Sequence, residues 1–219
     1  ITLDIRPLAL EEFLKSKFRG LSDMGKAPLA ARNPQANYWF EYLPAARTLY
    51  LAYNKCENAP DKPFADFVKE VFAVVDKQPT EKFVVDLRHN GGGSSFILKS
   101  LYDELRTRPR LTAKGKLFVI VSNETFSSAF KNAIEMRDLF GAIWVGAPPA
   151  QRPSAYGEVK VFQLPHSKID VRYSTKFYGE IKGSNLSFVP VDIPVQAAFA
   201  DYREGRDAVL QAALDYEAK

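Results

Sequence analysis

Three short runs of apolar residues alternate with two amphipathic segments in the middle of the sequence. The runs, at residues 83–87, 117–121 and 142–146, do not alternate apolar with polar residues, which predicts strands buried on both faces. The segments between them, at 95–105 and 126–140, carry apolar residues at helical spacing. An order of strand, helix, strand, helix, strand predicts parallel pairing with right-handed crossovers, and therefore an α/β fold.

The flanking segments complete the expected organisation. Further patterns typical of secondary structure predict a helix at 8–14, aromatic strands at 37–43 and 48–53, a helix at 64–75, a hairpin of strands at 159–164 and 169–173, and a terminal helix at 207–217. We expect residues 1–35 to be a connecting segment and residues 36–219 to form one core. The sequence starts at Ile1 without a methionine, so we expect the native N-terminus to lie further upstream.

Composition narrows the class of protein. The chain has 219 residues, 46% of them hydrophobic, which is enough for a packed core. A net charge of +4 without a basic run argues against a nucleic-acid partner. A single cysteine, Cys56, excludes an intrachain disulfide. No apolar run reaches the roughly 20 residues of a membrane helix.

The first buried strand runs into a glycine-rich turn. Residues 83–96 read FVVDLRHNGGGSSF. Glycines there allow positive φ and leave backbone N–H groups directed at open space, next to the positive end of the following helix. This predicts an anion or oxyanion site, and a tight turn without a ligand is the alternative. The phosphate-loop lysine, the dinucleotide spacing and a Gly-x-Ser-x-Gly elbow are all missing from the sequence.

A serine follows the second buried strand at the start of the next predicted helix. Open α/β sheets place their chemistry at this position, beyond the carboxyl ends of the strands. A nucleophilic Ser127 would have the Ser128 N–H beside it, and a second oxyanion donor would come from Gly92 or Gly93. Donors of this kind stabilise the transition state by about 3 kcal/mol each. The alternative is that Ser127 or Thr125 only caps the helix.

Together the two sites resemble the serine peptidase family of carboxyl-terminal processing (tail-specific) proteases and the tricorn core. The family's Asp-Leu-Arg-x-Asn-x-Gly-Gly motif is matched at 86–93, its Phe-Ser-Ala-Ala-Glu nucleophile context at 126–130, and its Val-Gly-x-Pro strand end at 145–148. The resemblance extends over residues 82–195. It implies the ClpP/crotonase-like spiral β-α core, with a C-terminal β-hairpin and a terminal helix.

The resemblance also implies a chemistry. Ser127 would attack the scissile carbonyl to form an acyl-enzyme, and the N–H groups of Gly92, Gly93 and Ser128 would form the oxyanion hole. The substrate would be a peptide or protein, with no cofactor and no metal. Relatives are often exported, which implies an extracytoplasmic or secreted place, while the compartment and the oligomeric state stay open.

Two departures from the family pattern count against simple activity. The family has an acid where this sequence has Phe130, and the processing branch has a lysine general base where this sequence has Arg152. A guanidinium is effectively always protonated and cannot accept the serine proton. Arg152 could instead bind a substrate carboxylate.

The general base is therefore not evident in this chain. The tricorn branch uses a histidine from an earlier segment, so we expect a base from upstream of Ile1. His89 in the glycine turn, Lys131 on the helix after Ser127, and the acid Asp192 are further candidates for a base or an orienting group.

Two other functions remain open at this stage. A non-catalytic module on the same core could hold a peptide or an apolar ligand, as the retinoid-binding repeats that resemble this family do. A crotonase-like acyl-thioester enzyme would share the oxyanion geometry without a serine nucleophile, but the serine context argues against it.

Overall fold

The computed structural model describes residues 27–179 and 186–218, together with residues 9, 11 and 12. Strands in this part of the chain are β1 (Tyr38–Leu43), β2 (Thr48–Tyr53), β3 (Lys82–Asp86), β4 (Leu117–Val121), β5 (Ile143–Gly146), β6 (Ser154–Gln163), β7 (Asp170–Gly179) and β8 (Ile193–Pro194). The α-helices are α1 (Phe64–Lys77), α2 (Lys99–Arg106), α3 (Pro109–Thr112), α4 (Ser128–Phe140), α5 (Phe199–Glu204) and α6 (Ala208–Leu214). Short 3₁₀ helices lie at Leu29–Ala31 and Pro44–Ala46.

Six strands form one mainly parallel sheet in the order β1-β2-β3-β4-β5-β8. β1 pairs antiparallel with β2, and every other neighbouring pair in this sheet is parallel. The predicted α/β class is confirmed, including the parallel pairing of the three apolar runs. The spiral, crotonase-like arrangement remains a prediction.

Side chains of the central strands divide between two cores, which explains why these strands read as continuous apolar runs. In β4, Leu117, Val119 and Val121 pack with the face that carries α1, α2 and α4, whereas Phe118 and Ile120 pack with the opposite face. Leu210 and Ala213 of α6 cover that second face. A strand that is covered by helices on both faces exposes neither face to water, so its sequence does not alternate between apolar and polar residues.

Parallel pairing brings the carboxyl ends of β3, β4 and β5 to one edge of the sheet. Asp86 is in register with Ile120, and Val121 is in register with Gly146. The connections after these strands contain the glycine turn, Ser127 and the segment around Arg152. All three motifs identified in the sequence therefore leave the sheet at the same edge.

The hairpin of β6 and β7 forms a separate two-stranded sheet. Both strands have ten residues and are longer than the pattern predicted. Pairing is interrupted at Glu158, whose φ of 52° is uncommon for a residue with a side chain.

The remaining predicted elements differ mainly at their ends. α2 begins at Lys99 rather than at residue 95, because the chain from residue 95 to 98 is still in turns. The terminal helix is shorter than predicted, and α3, α5 and β8 were not predicted. The helix expected at 8–14 lies mostly outside the described residues. Among the helices that are described, none combines the length and apolar content needed to cross a bilayer.

Candidate active site

A buried ionic cluster fixes the end of β3. The Asp86 carboxylate accepts hydrogen bonds from the Arg88 backbone N–H at 3.0 Å, from Arg88 Nε at 2.8 Å and from the Tyr50 hydroxyl at 2.7 Å. Arg88 Nη1 also donates to Asp207 Oδ1 at 2.9 Å, which ties the turn to the start of α6. Burial, and then the nearby Asp86, raises the pKa of Tyr50, so its phenol stays a donor.

Asn90 holds the glycine turn in shape. Its side chain is fully buried and donates from Nδ2 to the Tyr53 carbonyl at 2.7 Å, while its Oδ1 accepts the Gly92 N–H at 2.9 Å. Its backbone carbonyl accepts the Phe126 N–H at 3.0 Å. The asparagine of the motif therefore fastens the turn to both β2 and the residue just before Ser127.

Gly92 and Gly93 have backbone conformations that suit only glycine. Their φ angles are +110° and +133°. A Cβ on Gly92 would lie 2.8 Å from the Cβ of Ser127, and a Cβ on Gly93 would lie 2.5 Å from the Cys56 carbonyl oxygen. The sequence has glycines here because the turn packs directly against Ser127 on one side and against the Cys56 backbone on the other.

Ser127 has an unusual backbone and an exposed side chain. Its φ is 53° and its ψ is −121°, a conformation that is rare for a residue with a Cβ. Its hydroxyl forms no side-chain cap hydrogen bond to α4. Thr125 donates instead to the Leu87 carbonyl at 2.9 Å. The interpretation of these two residues as simple helix caps is therefore not supported.

Two backbone N–H groups near Ser127 are available to an incoming oxygen. Gly92 N–H is taken by Asn90, but the amides of Gly93 and Ser128 donate no hydrogen bond within the described part of the chain. The Ser128 hydroxyl donates to the Gly93 carbonyl at 2.6 Å, which joins the two segments. Of the two glycines considered from the sequence, the geometry therefore favours Gly93 as the partner of Ser128.

The candidate base residues have other partners. His89 Nδ1 lies 3.0 Å from Glu124 Oε2 in an exposed pair, and Lys131 Nζ lies 4.0 Å from Glu135 Oε1. The Lys131 backbone N–H donates to the Ser127 carbonyl at 3.1 Å, but within the described residues neither the His89 side chain nor the Lys131 side chain hydrogen bonds to Ser127.

Asp192 lies at the wrong end of β5 for a role beside Ser127. Its Oδ2 accepts the Trp144 N–H at 2.7 Å and a bond from Arg137 Nη2 at 3.0 Å. Trp144 is near the amino end of β5, whereas the glycine turn and Ser127 lie at the carboxyl edge. The structure therefore does not bring Asp192 into contact with the proposed nucleophile.

Arg152 lies in the segment between β5 and β6, and it is exposed. No ion pair involves it among the described residues. Its neighbour Gln151 does reach the site: Gln151 Oε1 accepts the Ser127 N–H at 2.6 Å. Gln151 is not among the site residues predicted from the sequence, and the one signal that points to it is its place next to Arg152.

Cys56 is a second residue that contacts the site without having been predicted there from the sequence. Its N–H donates to the Gly92 carbonyl at 3.0 Å and its carbonyl accepts the Ser94 N–H at 2.7 Å. Its thiol is buried near Asn90 Oδ1. The Cys56 backbone thus clamps the glycine turn from the side opposite Ser127.

We predict that the Cys56 thiol is unreactive in the folded protein. Burial raises its pKa from 9.0 to about 11, so the folded state keeps the proton that the unfolded state loses first. This contribution to stability is full below pH 9 and is lost as the pH rises towards 11. A thiol-disulfide reagent at pH 8 should detect no thiol until denaturant is added, and rapid reaction of the native protein would contradict the prediction.

Comparisons with solved structures agree with this fold. A protein assigned to the S41 proteases from Bacteroides fragilis has a TM-score of 0.56 at 18% identity, covering 80% of this chain and 56% of that chain. A protein assigned as a peptidase from Parabacteroides merdae has a TM-score of 0.55 at 16% identity, covering 83% and 66%. Mature CPAF has a TM-score of 0.51 at 14% identity, covering 77% and 50%.

The chain therefore has the fold of the S41 peptidases, and the resemblance inferred from the motifs is confirmed at the level of the fold. It spans between half and two thirds of the length of these solved structures. No protein-family model and no curated protein matches the sequence.

Proposed function

We propose that this chain, with its S41 peptidase fold, forms the core of a serine endopeptidase of the tail-specific and tricorn type. One observation carries the proposal: the exposed Ser127, held in a strained backbone conformation, lies against the glycine turn and beside the amides of Gly93 and Ser128, which donate no hydrogen bond to any described residue. Strained positive-φ residues cluster at functional sites, because a fold retains them only where the surrounding contacts impose them.

The proposed reaction begins with attack of Ser127 Oγ on the scissile carbonyl carbon. The carbonyl π electrons move to oxygen, the serine proton passes to a general base, and the resulting oxyanion accepts hydrogen bonds from Gly93 and Ser128 N–H. The tetrahedral intermediate then collapses and expels the amine, which takes the proton from the general base. Water hydrolyses the remaining acyl-enzyme. Each oxyanion donor is expected to increase the rate of the reaction about 10²–10³-fold.

We propose that the general base comes from outside the described residues. The side chains of His89, Lys131 and Asp192 each pair with another side chain, and none of these three side chains hydrogen bonds to Ser127 in the described part of the chain. The arginine at the family's lysine position cannot take the proton. A base brought by another segment is consistent with both observations.

A fluorophosphonate probe tests the proposal. The full-length protein should become covalently labelled, and peptide mapping should place the label on Ser127. Absence of labelling, with the fold intact by circular dichroism, would contradict the peptidase assignment and favour the binding module. Turnover of an acyl-thioester without any labelled serine would favour the crotonase-like chemistry.

We predict that Arg152 binds the carboxylate of substrates cleaved close to their C-terminus. The side chain is exposed, has no ion pair in the described residues, and follows directly after Gln151 at the nucleophile. Arg152→Ala should raise KM about tenfold for peptides with a free C-terminal carboxylate. It should leave KM unchanged for the same peptides as amides, and an equal effect on both forms would overturn the assignment.

A second candidate function has one observation in its favour. A cavity of about 660 Å³ lies at the carboxyl edge of the sheet, with mostly apolar walls that include Ile120, Val195 and Val209. This volume lies in the range of small-ligand sites. A non-catalytic module would hold an apolar ligand there, and saturable binding of such a ligand by a protein that the fluorophosphonate does not label would support it.

A further inference from the structure

The segment between β5 and β6 contacts the backbone of Ser127 through one side chain. Gln151, which is half-buried, accepts the Ser127 N–H at 2.6 Å through its Oε1 atom. This is a short bond for a neutral donor and acceptor. It connects two segments separated by 24 positions in the sequence.

The bond is made to the peptide unit that determines where the Ser127 side chain points. The other groups around that peptide are already held: Phe126 N–H donates to the Asn90 carbonyl at 3.0 Å, and the Phe126 carbonyl accepts the Ala129 N–H at 3.1 Å. Gln151 supplies the remaining contact, on the N–H side. Without it, the peptide between Phe126 and Ser127 could rotate towards a more ordinary φ.

That rotation would be energetically favourable for Ser127 on its own. A residue with a side chain in such a backbone region costs of order 1–3 kcal/mol and persists only when its surroundings impose the conformation. A hydrogen bond worth about 1 kcal/mol is comparable with this cost. The Ser127–Gln151 contact is therefore large enough to influence the population of the strained form.

We infer that Gln151 is a positioning residue, which holds Ser127 in the conformation that directs its hydroxyl towards the space in front of the Gly93 and Ser128 amides. This inference rests on the proposed function. A glutamine suits the role because its carbonyl oxygen accepts the N–H without placing a negative charge beside the developing oxyanion. A carboxylate at the same position would accept the bond but oppose that charge.

Gln151→Met tests the inference, because methionine matches the length of glutamine but offers no comparable acceptor. The rate constant for fluorophosphonate labelling should fall about tenfold, since a small misplacement of a nucleophile is costly. With a peptide substrate, kcat should fall while KM changes little.

Hydrogen exchange of the Ser127 amide should become faster in Gln151→Met. In Gln151→Glu the slow exchange should be retained and labelling should remain slower than in the wild type.

Gln78→Met is the matched control. This glutamine is exposed just after α1, on the side of the sheet where β3 begins, and its replacement should change neither labelling nor exchange at Ser127. An unchanged or increased labelling rate in Gln151→Met would overturn the inference. If the wild type is not labelled at all, the peptidase proposal fails, and amide exchange still decides whether Gln151 holds the Ser127 backbone.

Discussion

Ser127→Ala should abolish fluorophosphonate labelling and reduce peptide hydrolysis by at least about 10³-fold. The covalent adduct forms on the serine oxygen, so its removal leaves the probe without a target. Residual turnover would come only from the Gly93 and Ser128 amides acting on an attacking water. The loss should appear in kcat, because the hydroxyl is not needed for substrate binding.

The substitution should leave the fold intact, which makes the result interpretable. The Ser127 hydroxyl makes no cap hydrogen bond, and its side chain is exposed. Removing it therefore breaks no buried contact, and we expect a change in unfolding free energy within about 1 kcal/mol. Thermal unfolding followed by circular dichroism measures this directly.

Ser94→Ala is the appropriate control. Ser94 is an exposed serine at the end of the glycine turn, and its side chain contributes no hydrogen bond within the described residues. Its replacement should preserve both labelling and hydrolysis. Equal labelling of wild type and Ser127→Ala would show that another residue reacts, and the nucleophile assignment would then be wrong.

The central part of the sheet could be predicted from the sequence because strands such as β3 and β4 are buried on both faces. An apolar run such as residues 117–121, placed between amphipathic helices, has few possible structures other than a buried strand. The observed strand β4 has the predicted bounds. β8 has only two residues, too few for any period to be recognised. The start of α2 was misplaced because the helical spacing of apolar residues continues back into the turn at residues 95–98, where the Ser95 carbonyl accepts a hydrogen bond from Asn132 Nδ2 on α4.

The residues of the site likewise fall into those that the sequence predicts and those that it does not. Ser127 and the glycine turn stand in motifs of consecutive residues, and the sequence is sufficient to propose them. The contact between Gln151 and Ser127, and the clamp that the Cys56 backbone forms on Gly92, depend on the path of segments far apart in the chain. Local patterns do not contain that information, so only the structure reveals these contacts. The catalytic roles of all these residues remain predictions.

Gly92→Ala should inactivate the site although it replaces neither the proposed nucleophile nor the two proposed oxyanion donors. The added methyl would lie 2.8 Å from Ser127 Cβ, 3.1 Å from the Phe126 carbonyl oxygen and 3.2 Å from the Ser128 nitrogen. Two of these three atoms are backbone, so the clash cannot be relieved by rotating a side chain. The serine, the Ser128 amide or the turn itself has to move.

The backbone conformation adds a second cost. At φ +110° an alanine is strained by about 1–3 kcal/mol even where space is available. Relaxation of the turn would shift Gly93 away from Ser128 and separate the two proposed oxyanion donors. We therefore expect labelling and hydrolysis to fall by about 10²–10³-fold, with a loss of stability of a few kcal/mol at most.

Gly91→Ala separates this effect from a general intolerance of the turn. Gly91 is the preceding residue, it has no positive φ, and a Cβ there would meet nothing within 4 Å. Its replacement should change the unfolding free energy by less than about 0.5 kcal/mol and leave the labelling rate unchanged. Comparable activity in Gly92→Ala and Gly91→Ala would mean that close contact between the turn and Ser127 is not required, and the oxyanion site would have to be sought elsewhere.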